Sequence, residues 1–282
     1  MRQLAYDRRE RLAPASVALI LAILRAILNQ ACEDEVIDKN PVTKGNKLLP
    51  KNQKAPRVID PFNRDELTLL LTTMQDYRPV YYPFFLTLAR TGVRLGEALA
   101  LKWDDVDWHG QMIHVQRGYS ERRITTPKNG KTRLVDMSSQ LSETLRSLLT
   151  QRKTETLQRE DWQDMPEWIF CSSTGGLLSE SLLRSRVWRP CLSKAGLRYR
   201  RMHDLRHTYA TILIQQKESL AYIRDQLGHH SIKLTVDTYG HLVPGGNRQA
   251  VNRLDDENLD ARNRNLSATT SYPRWGRQRT TS

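Results

Sequence analysis

Helical periodicity recurs along nearly all of this 282-residue chain and lapses in its middle. Between Trp103 and Met137 it gives way to three short segments, Trp103 to Trp108, Gln111 to Gln116 and Thr132 to Met137, rich in Val, Ile and Trp. The breaks between them, His109-Gly110 and Asn129-Gly130, are of the kind that turns a strand back on its neighbour. The expectation is a mainly α fold with a small antiparallel β-sheet, an α+β arrangement in which helices supply most of the core.

The helices can be placed on both sides of that interruption. Ser16 to Glu35 carries Val17, Ile20, Leu21, Leu24, Ile27, Leu28 and Ala31 at helical spacing, so it reads as one amphipathic helix, and Asn40-Pro41 halts any further helix beyond it. Asn63-x-x-Glu66 ahead of Leu67, Leu69, Leu70 and Leu71 is an Asn form of the capping box. A second helix is expected over Pro79 to Arg90, and a third from Arg94 to Leu101 after the Thr91-Gly92 turn. Beyond the sheet, helices are expected at Ser139 to Arg152, Ser179 to Lys194, Asp204 to Gln216, Leu220 to Leu227 and Ser231 to Thr238. After Pro244-Gly245-Gly246 a short helix is expected with Ala250, Val251, Leu254 and Leu259, then a polar, basic, disordered tail from Ala261.

Composition shifts divide the chain into a helical region over 1–43, a basic linker over 44–60, a main domain over 61–245 and a C-terminal helix and tail over 246–282. The linker is rich in Lys, Asn and Gln and is restricted by Pro50 and Pro56. A net charge of +13 and a pI near 9.9 point to a polyanionic partner, nucleic acid first and an anionic membrane surface second. Three cysteines, Cys32, Cys171 and Cys191, form no paired framework and suit a reducing cytoplasm. The longest apolar run, Ala15 to Ile27, is short for a bilayer and interrupted by Arg25, while Asp7 and Glu10 dilute the basic start expected of a signal peptide. The expected location is cytoplasmic, with no membrane partner.

Against that background three motifs stand in order. Thr91-Gly92-Val93-Arg94-Leu95-Gly96-Glu97 comes first, His203 and Arg206 form a His-x-x-Arg, and Leu227-Gly228-His229-His230 leads through Ser231 to Tyr239. Each alone has a bland reading: Arg94 as a surface arginine paired with Glu97, His203 as a helix-start residue, Gly228 as a helix C-cap, Tyr239 as a helix-end aromatic. Together they supply what phosphodiester cleavage without a metal requires. Arginine forks match phosphate oxygens, histidines and a lysine serve the protons, and a phenol attacks. His203 and Arg206, three residues apart, share a helix face and can reach one phosphate. His229 and His230 both follow the glycine, and Lys128 and Lys131 both sit on the basic hairpin tip Pro127 to Arg133. A phenol of ordinary pKa near 10 needs a base or a cationic phosphate site before it can act.

In this order and spacing the residues resemble the catalytic domain of the tyrosine recombinases, the phage integrase family, and most strongly the prophage and genomic-island integrases. The resemblance covers about Pro61 to Leu242 and reaches more loosely back to Ala15. It implies that Tyr239 is the nucleophile, that Arg94, His203, Arg206 and His229 hold the phosphate, and that Glu97 supports the site. The family's Gly-His pattern selects His229, and its Thr-x-Lys context selects Lys128 as the acid for the departing 5′ oxygen. It further implies a site-specific DNA recombinase that acts without cofactor or metal. Such an enzyme cleaves and rejoins double-stranded DNA through a 3′-phosphotyrosyl intermediate, as a homotetramer and with an excision factor, to integrate or excise a mobile element.

One departure stands out. Integrases of this kind carry a helical core-binding domain before the linker, and here only Ala15 to Pro41, ending in Ile-x-x-Asn-Pro, resembles its last part, so an N-terminal truncation is expected. A type IB topoisomerase-like enzyme, a catalytically impaired integrase remnant that only binds DNA, and a membrane-surface protein are the other readings. Trp103, Trp108, Trp162, Trp168 and Trp188, with Tyr77, Tyr81 and Tyr82, are expected to pack rather than to react.

Overall fold

A computed structural model describes residues 14–42, 59–120, 122–126, 130, 132–159, 162, 164–242 and 251, and the chain divides between Val58 and Ile59 into two units. Residue 43, the stretch from 44 to 58 in the expected linker, Lys128 and Lys131 of the hairpin tip, and the expected C-terminal helix and tail, apart from Val251, lie outside the described residues.

In the first unit, helix α1 (Pro14–Glu33) runs for 20 residues. The chain that leaves it folds back through Asn40, whose side-chain amide donates to the Arg25 carbonyl at 3.0 Å and to Asn29 Oδ1 at 2.5 Å. Its carbonyl oxygen accepts from the Val42 N–H at 2.8 Å, so one asparagine closes the turn before Pro41. The helix corrects one expectation. Counted through Leu28, Ala31 and Cys32 to Glu33, Ser16–Glu33 is long and apolar enough, by length and composition, to cross a membrane. A single arginine at position 25 does not interrupt it.

The second unit opens on the expected capping box. Asn63 Oδ1 accepts from the Glu66 N–H at 2.8 Å, Glu66 Oε2 accepts from the Asn63 N–H at 2.9 Å, and α2 (Arg64–Tyr77) follows, burying Leu67, Leu70, Leu71 and Met74. A 3-10 turn (Pro79–Tyr81) leads to α3 (Tyr82–Thr91), which ends at Gly92 in the left-handed region with φ of 61°. A Cβ at Gly92 would lie 2.4 Å from the Tyr209 ring and 3.0 Å from Leu227, so glycine serves both the backbone turn and the packing. Helix α4 (Leu95–Leu99) is shorter than expected, with Arg94 as its N-cap.

Strands β1 (Val106–Asp107), β2 (Met112–Val115), β3 (Gly118–Ser120), β4 (Arg123–Thr125) and β5 (Arg133–Asp136) form two sheets, β1-β2-β5 and β3-β4, all antiparallel. Ile113 pairs with Val106 on one side and Val135 on the other, and this row faces the core. The β3-β4 hairpin was not expected, because Gly118, Ser120 and Arg123 give it no apolar alternation.

Helix α5 (Ser139–Gln158) is capped by Ser138. The next helical stretch starts as α6 (Glu180–Leu182), widens into a π-turn (Leu183–Trp188) and ends as α7 (Arg189–Lys194). Pro190, with no N–H to give its fourth-back carbonyl, accounts for the widening. Helices α8 (Asp204–Gln215), α9 (Leu220–Leu227) and α10 (Ile232–Tyr239) complete the unit. The main core runs from Phe62 to Leu205, with Phe85 stacked on Trp188 at 5.3 Å. A smaller cluster, Tyr209, Ala210, Ile214, Ile223, Leu227 and Tyr239, fastens the last three helices together. Trp103, Trp162 and Trp188 are buried, whereas Trp108 and Trp168 are partly exposed under Arg146 and Lys102.

Candidate active site

Helix α9 supplies the frame of the site, because its last carbonyls would otherwise lack partners. Gly228 turns the chain with φ of 64°, and three consecutive carbonyls then face three arginines from distant elements. Arg133 Nε donates to the Gln226 carbonyl at 2.9 Å, Arg206 Nη2 to that of Leu227 at 2.5 Å and Arg94 Nη2 to that of Gly228 at 3.3 Å. The negative end of a helix dipole thus partly offsets three like charges that would repel one another. Gly228 has no room for a side chain here, since an added Cβ would lie 2.9 Å from the Arg133 guanidinium.

Glu97 is the second counterweight. Its carboxylate accepts from Arg94 Nη1 at 2.8 Å and from both Nη atoms of Arg133 at 3.1 and 2.7 Å, and it accepts the Arg94 backbone N–H at 2.8 Å. Burial alone would raise its pKa, but the Arg133 hydrogen bonds and charge, with Arg94 behind them, hold it at about 2. A buried, ionised carboxylate therefore ties β5 to the start of α4.

Arg206 differs from the other two arginines. It is buried at 4 % exposure, it also donates through Nη1 to the Gly92 carbonyl at 2.7 Å, and among the described residues no carboxylate lies within ion-pairing distance of it. Burial first, then the charge of Arg94, lowers its pKa to about 9, so it stays cationic at neutral pH. An incoming anion is the countercharge that this guanidinium lacks.

His229 follows directly on the carbonyl row. Its Nδ1 lies 2.9 Å from the hydroxyl of the fully buried Thr235. Burial, then Arg206 and Arg94, pushes its pKa down to about 3, so the ring is neutral at physiological pH. His230 is exposed. His203 is the N-cap residue of α8 and is exposed, with its ring edge-on to that of His207 at 5.2 Å between centroids.

Tyr239 ends α10 with its side chain buried at 1 % exposure and its hydroxyl 2.7 Å from His207 Nδ1. Burial raises its pKa to about 12, and Arg206 acts in the opposite direction. Arg94, Glu97, Arg206, His229 and Tyr239 thus gather at one place with His203 at its edge, while Lys128 lies outside the described residues. His207, Arg133 and Thr235 were not anticipated. For His207 a signal existed: it stands four residues after His203 and next to Arg206, on the same turn of one helix. Among the described residues no group of three His, Cys, Asp or Glu side chains is placed to hold a metal ion.

Curated relatives share this region at modest identity. A XerC-like tyrosine recombinase of Caldanaerobacter subterraneus subsp. tengcongensis is 27% identical over 252 residues, covering 83% of this chain and 64% of the relative. The ICEBs1 integrase of Bacillus subtilis is 27% identical, with 87% and 66% covered, and the prophage integrase IntR of Escherichia coli is 26% identical, with 83% and 59% covered. The chain therefore spans somewhat less than two thirds of the length of these relatives. Among solved structures, the Tn1549 transposon integrase in complex with transposon right end DNA superposes with a TM-score of 0.68 at 18% identity, covering 90% of this chain and 84% of that one. A lambda integrase dimer bound to a core site gives 0.59, also at 18% identity, with 82% and 78% covered. The fold is the one those integrases have. The profile of the phage integrase family matches residues 61–244, well over half of the sequence, and the chain belongs to that family.

Proposed function

We propose that this chain is a site-specific DNA strand transferase, which cleaves and rejoins double-stranded DNA through a 3′-phosphotyrosyl intermediate to integrate or excise a mobile element. The observation that carries the reading is the buried Arg206 cation, which lacks a carboxylate partner among the described residues and is close enough to Tyr239 to favour its ionised form. A scissile phosphate would supply the missing charge. Arg94 and Arg206 would then grip its non-bridging oxygens, with Glu97 fixing the Arg94 fork. If the Thr235 hydroxyl donates to Nδ1 of His229, the neutral ring keeps its Nε2–H to give to the phosphate. His203 would add a donor at the rim, and Lys128 would protonate the 5′ oxygen as it leaves.

Tyr239 attacks phosphorus, the bond to the 5′ oxygen breaks, and the energy of the phosphodiester is kept in the phosphotyrosine. A 5′-hydroxyl from the partner duplex then reverses the step. By likeness to the family the working unit is a homotetramer joining two duplexes in the cytoplasm, with an excision factor as a further partner. The test uses a pool of nicked duplexes of randomised sequence, in which cleavage releases a short fragment and traps the covalent product. The unaltered chain should give a protein–DNA adduct on denaturing gels. Tyr239→Phe should give none while retaining the same duplexes on a filter, because it removes one oxygen and no charge. An adduct from Tyr239→Phe would move the nucleophile elsewhere, and no adduct from either protein would leave a DNA-binding remnant.

A further inference from the structure

The phenol of Tyr239 has one close polar neighbour that the proposed roles leave idle. Its oxygen is 2.7 Å from Nδ1 of His207, with the two rings 5.7 Å apart, inside a buried pocket. His207 follows Arg206 on α8, whose guanidinium is fixed by the Gly92 and Leu227 carbonyls. The phosphate-gripping cation and a nitrogen base therefore sit on one helical turn, and Tyr239 reaches them from α10. The His203 ring, one turn earlier, stands perpendicular to that of His207 with 5.2 Å between centroids.

We infer that His207 accepts the proton of the Tyr239 hydroxyl during strand cleavage, and returns it when the strand is rejoined. The inference rests on Tyr239 being the nucleophile. In the cleavage step the phenolic O–H bond breaks and an N–H bond forms at Nδ1. The phenol oxygen then bonds to phosphorus, and the bond from phosphorus to the 5′ oxygen breaks with its electron pair, the leaving oxygen taking a proton from Lys128. Rejoining runs each transfer backwards. The geometry meets the first demand on a general base, hydrogen-bond reach of the proton it takes. It requires the His207 tautomer with its proton on Nε2, so that Nδ1 offers a lone pair. Without such a base, a phenol shielded from water has nowhere to send its proton.

Three measurements test this. Nitrogen NMR of the histidine-labelled chain should find Nδ1 of His207 unprotonated and its signal moved by Tyr239→Phe; a proton on Nδ1 would overturn the inference, and this measurement decides it if a His207 variant fails to fold. On a duplex recovered from the nicked pool, His207→Asn, which keeps a hydrogen-bond acceptor but cannot take a proton, should slow adduct formation by about 100-fold or more. A more acidic fluorotyrosine installed at position 239 should recover most of that loss, since it needs less help to ionise. A rate for His207→Asn within about 3-fold of the unaltered chain, or an equal loss with both phenols, would reduce His207 to a packing partner. No adduct from the unaltered chain sinks the strand-transferase reading along with the inference; an adduct that His207→Asn forms within about 3-fold of the unaltered rate sinks the inference alone.

Discussion

At the scale of single residues, the site depends on ionisation states set by burial and by neighbouring charges. Glu97 keeps its charge because three hydrogen bonds from Arg94 and Arg133 side chains surround it, and its folded pKa of about 2 lies below the ordinary 4.5. Its contribution to stability is complete above about pH 4.5 and is lost as the pH falls through about 2, on the order of 3 kcal/mol in all. His229 acts in the same direction earlier. Its folded value of about 3 lies below 6.5, so protons favour the unfolded chain from about pH 6.5 downwards. The unfolding midpoint should therefore fall steadily on acidification, and His229→Gln should flatten the part between about pH 6.5 and 4.5 and lessen the slope from there to about pH 3, where Glu97 still contributes. Calorimetry across that range checks it; an unchanged slope in the variant would show that His229 is not held neutral by its surroundings.

At the scale of elements, Arg133 has the widest reach. From β5 it binds the buried Glu97 at the start of α4 and the Gln226 carbonyl at the end of α9, so one side chain clamps sheet and helices. Arg133→Ala would leave Glu97 short of a bidentate partner and a helix-end carbonyl unpaired, at a cost of about 3 kcal/mol. Strand transfer should fall further than stability explains, because Arg133 shares Glu97 with Arg94, one of the two arginines proposed to grip the phosphate. Chemical denaturation and adduct yield, measured side by side at a temperature where the variant is folded, would separate the two; parallel losses would make Arg133 a scaffold residue only. The sequence showed those parts of these elements whose causes are local. Asn63 and Glu66 sit three apart and cap each other, and Gly228 ends α9 as a C-cap glycine should. Arg133 meets Glu97 across 36 positions and His207 meets Tyr239 across 32, and no periodicity encodes such a meeting. The β3-β4 hairpin escaped notice for a different reason: its face is too polar to carry a strand signal.

At the scale of the whole molecule, charge and fold answer different questions. A net charge of +13 would attract a duplex but carries no sequence information. If residues 59–282 act chiefly through phosphate contacts, affinity for an arbitrary duplex should drop at least 10-fold between about 50 and 200 mM salt, with little change between sequences. A salt titration on two unrelated duplexes measures this, and tight binding to one of them that resists salt would show base readout by this chain. That Arg94, Arg206, His229 and Tyr239 lie together was legible because those residue types stand at motif spacing in the sequence. How they are held was not, since Gly92, Leu227 and Gly228 contribute carbonyl oxygens, which every residue has.

That row of carbonyls has a kinetic consequence. The guanidiniums that would receive a phosphate already have tenants: Arg206 is engaged by Gly92 and Leu227, and Arg94 by Gly228. Substrate entry is then an exchange of one set of acceptors for another, not the filling of a vacant seat. Two of the acceptors released, Leu227 and Gly228, belong to the junction of α9 and α10, so a docked phosphate would loosen the stretch that leads to Tyr239. Backbone amides from His229 to Ser231 should exchange their hydrogens faster, not slower, when a duplex is bound, the reverse of what a ligand ordinarily does to the loop beside it.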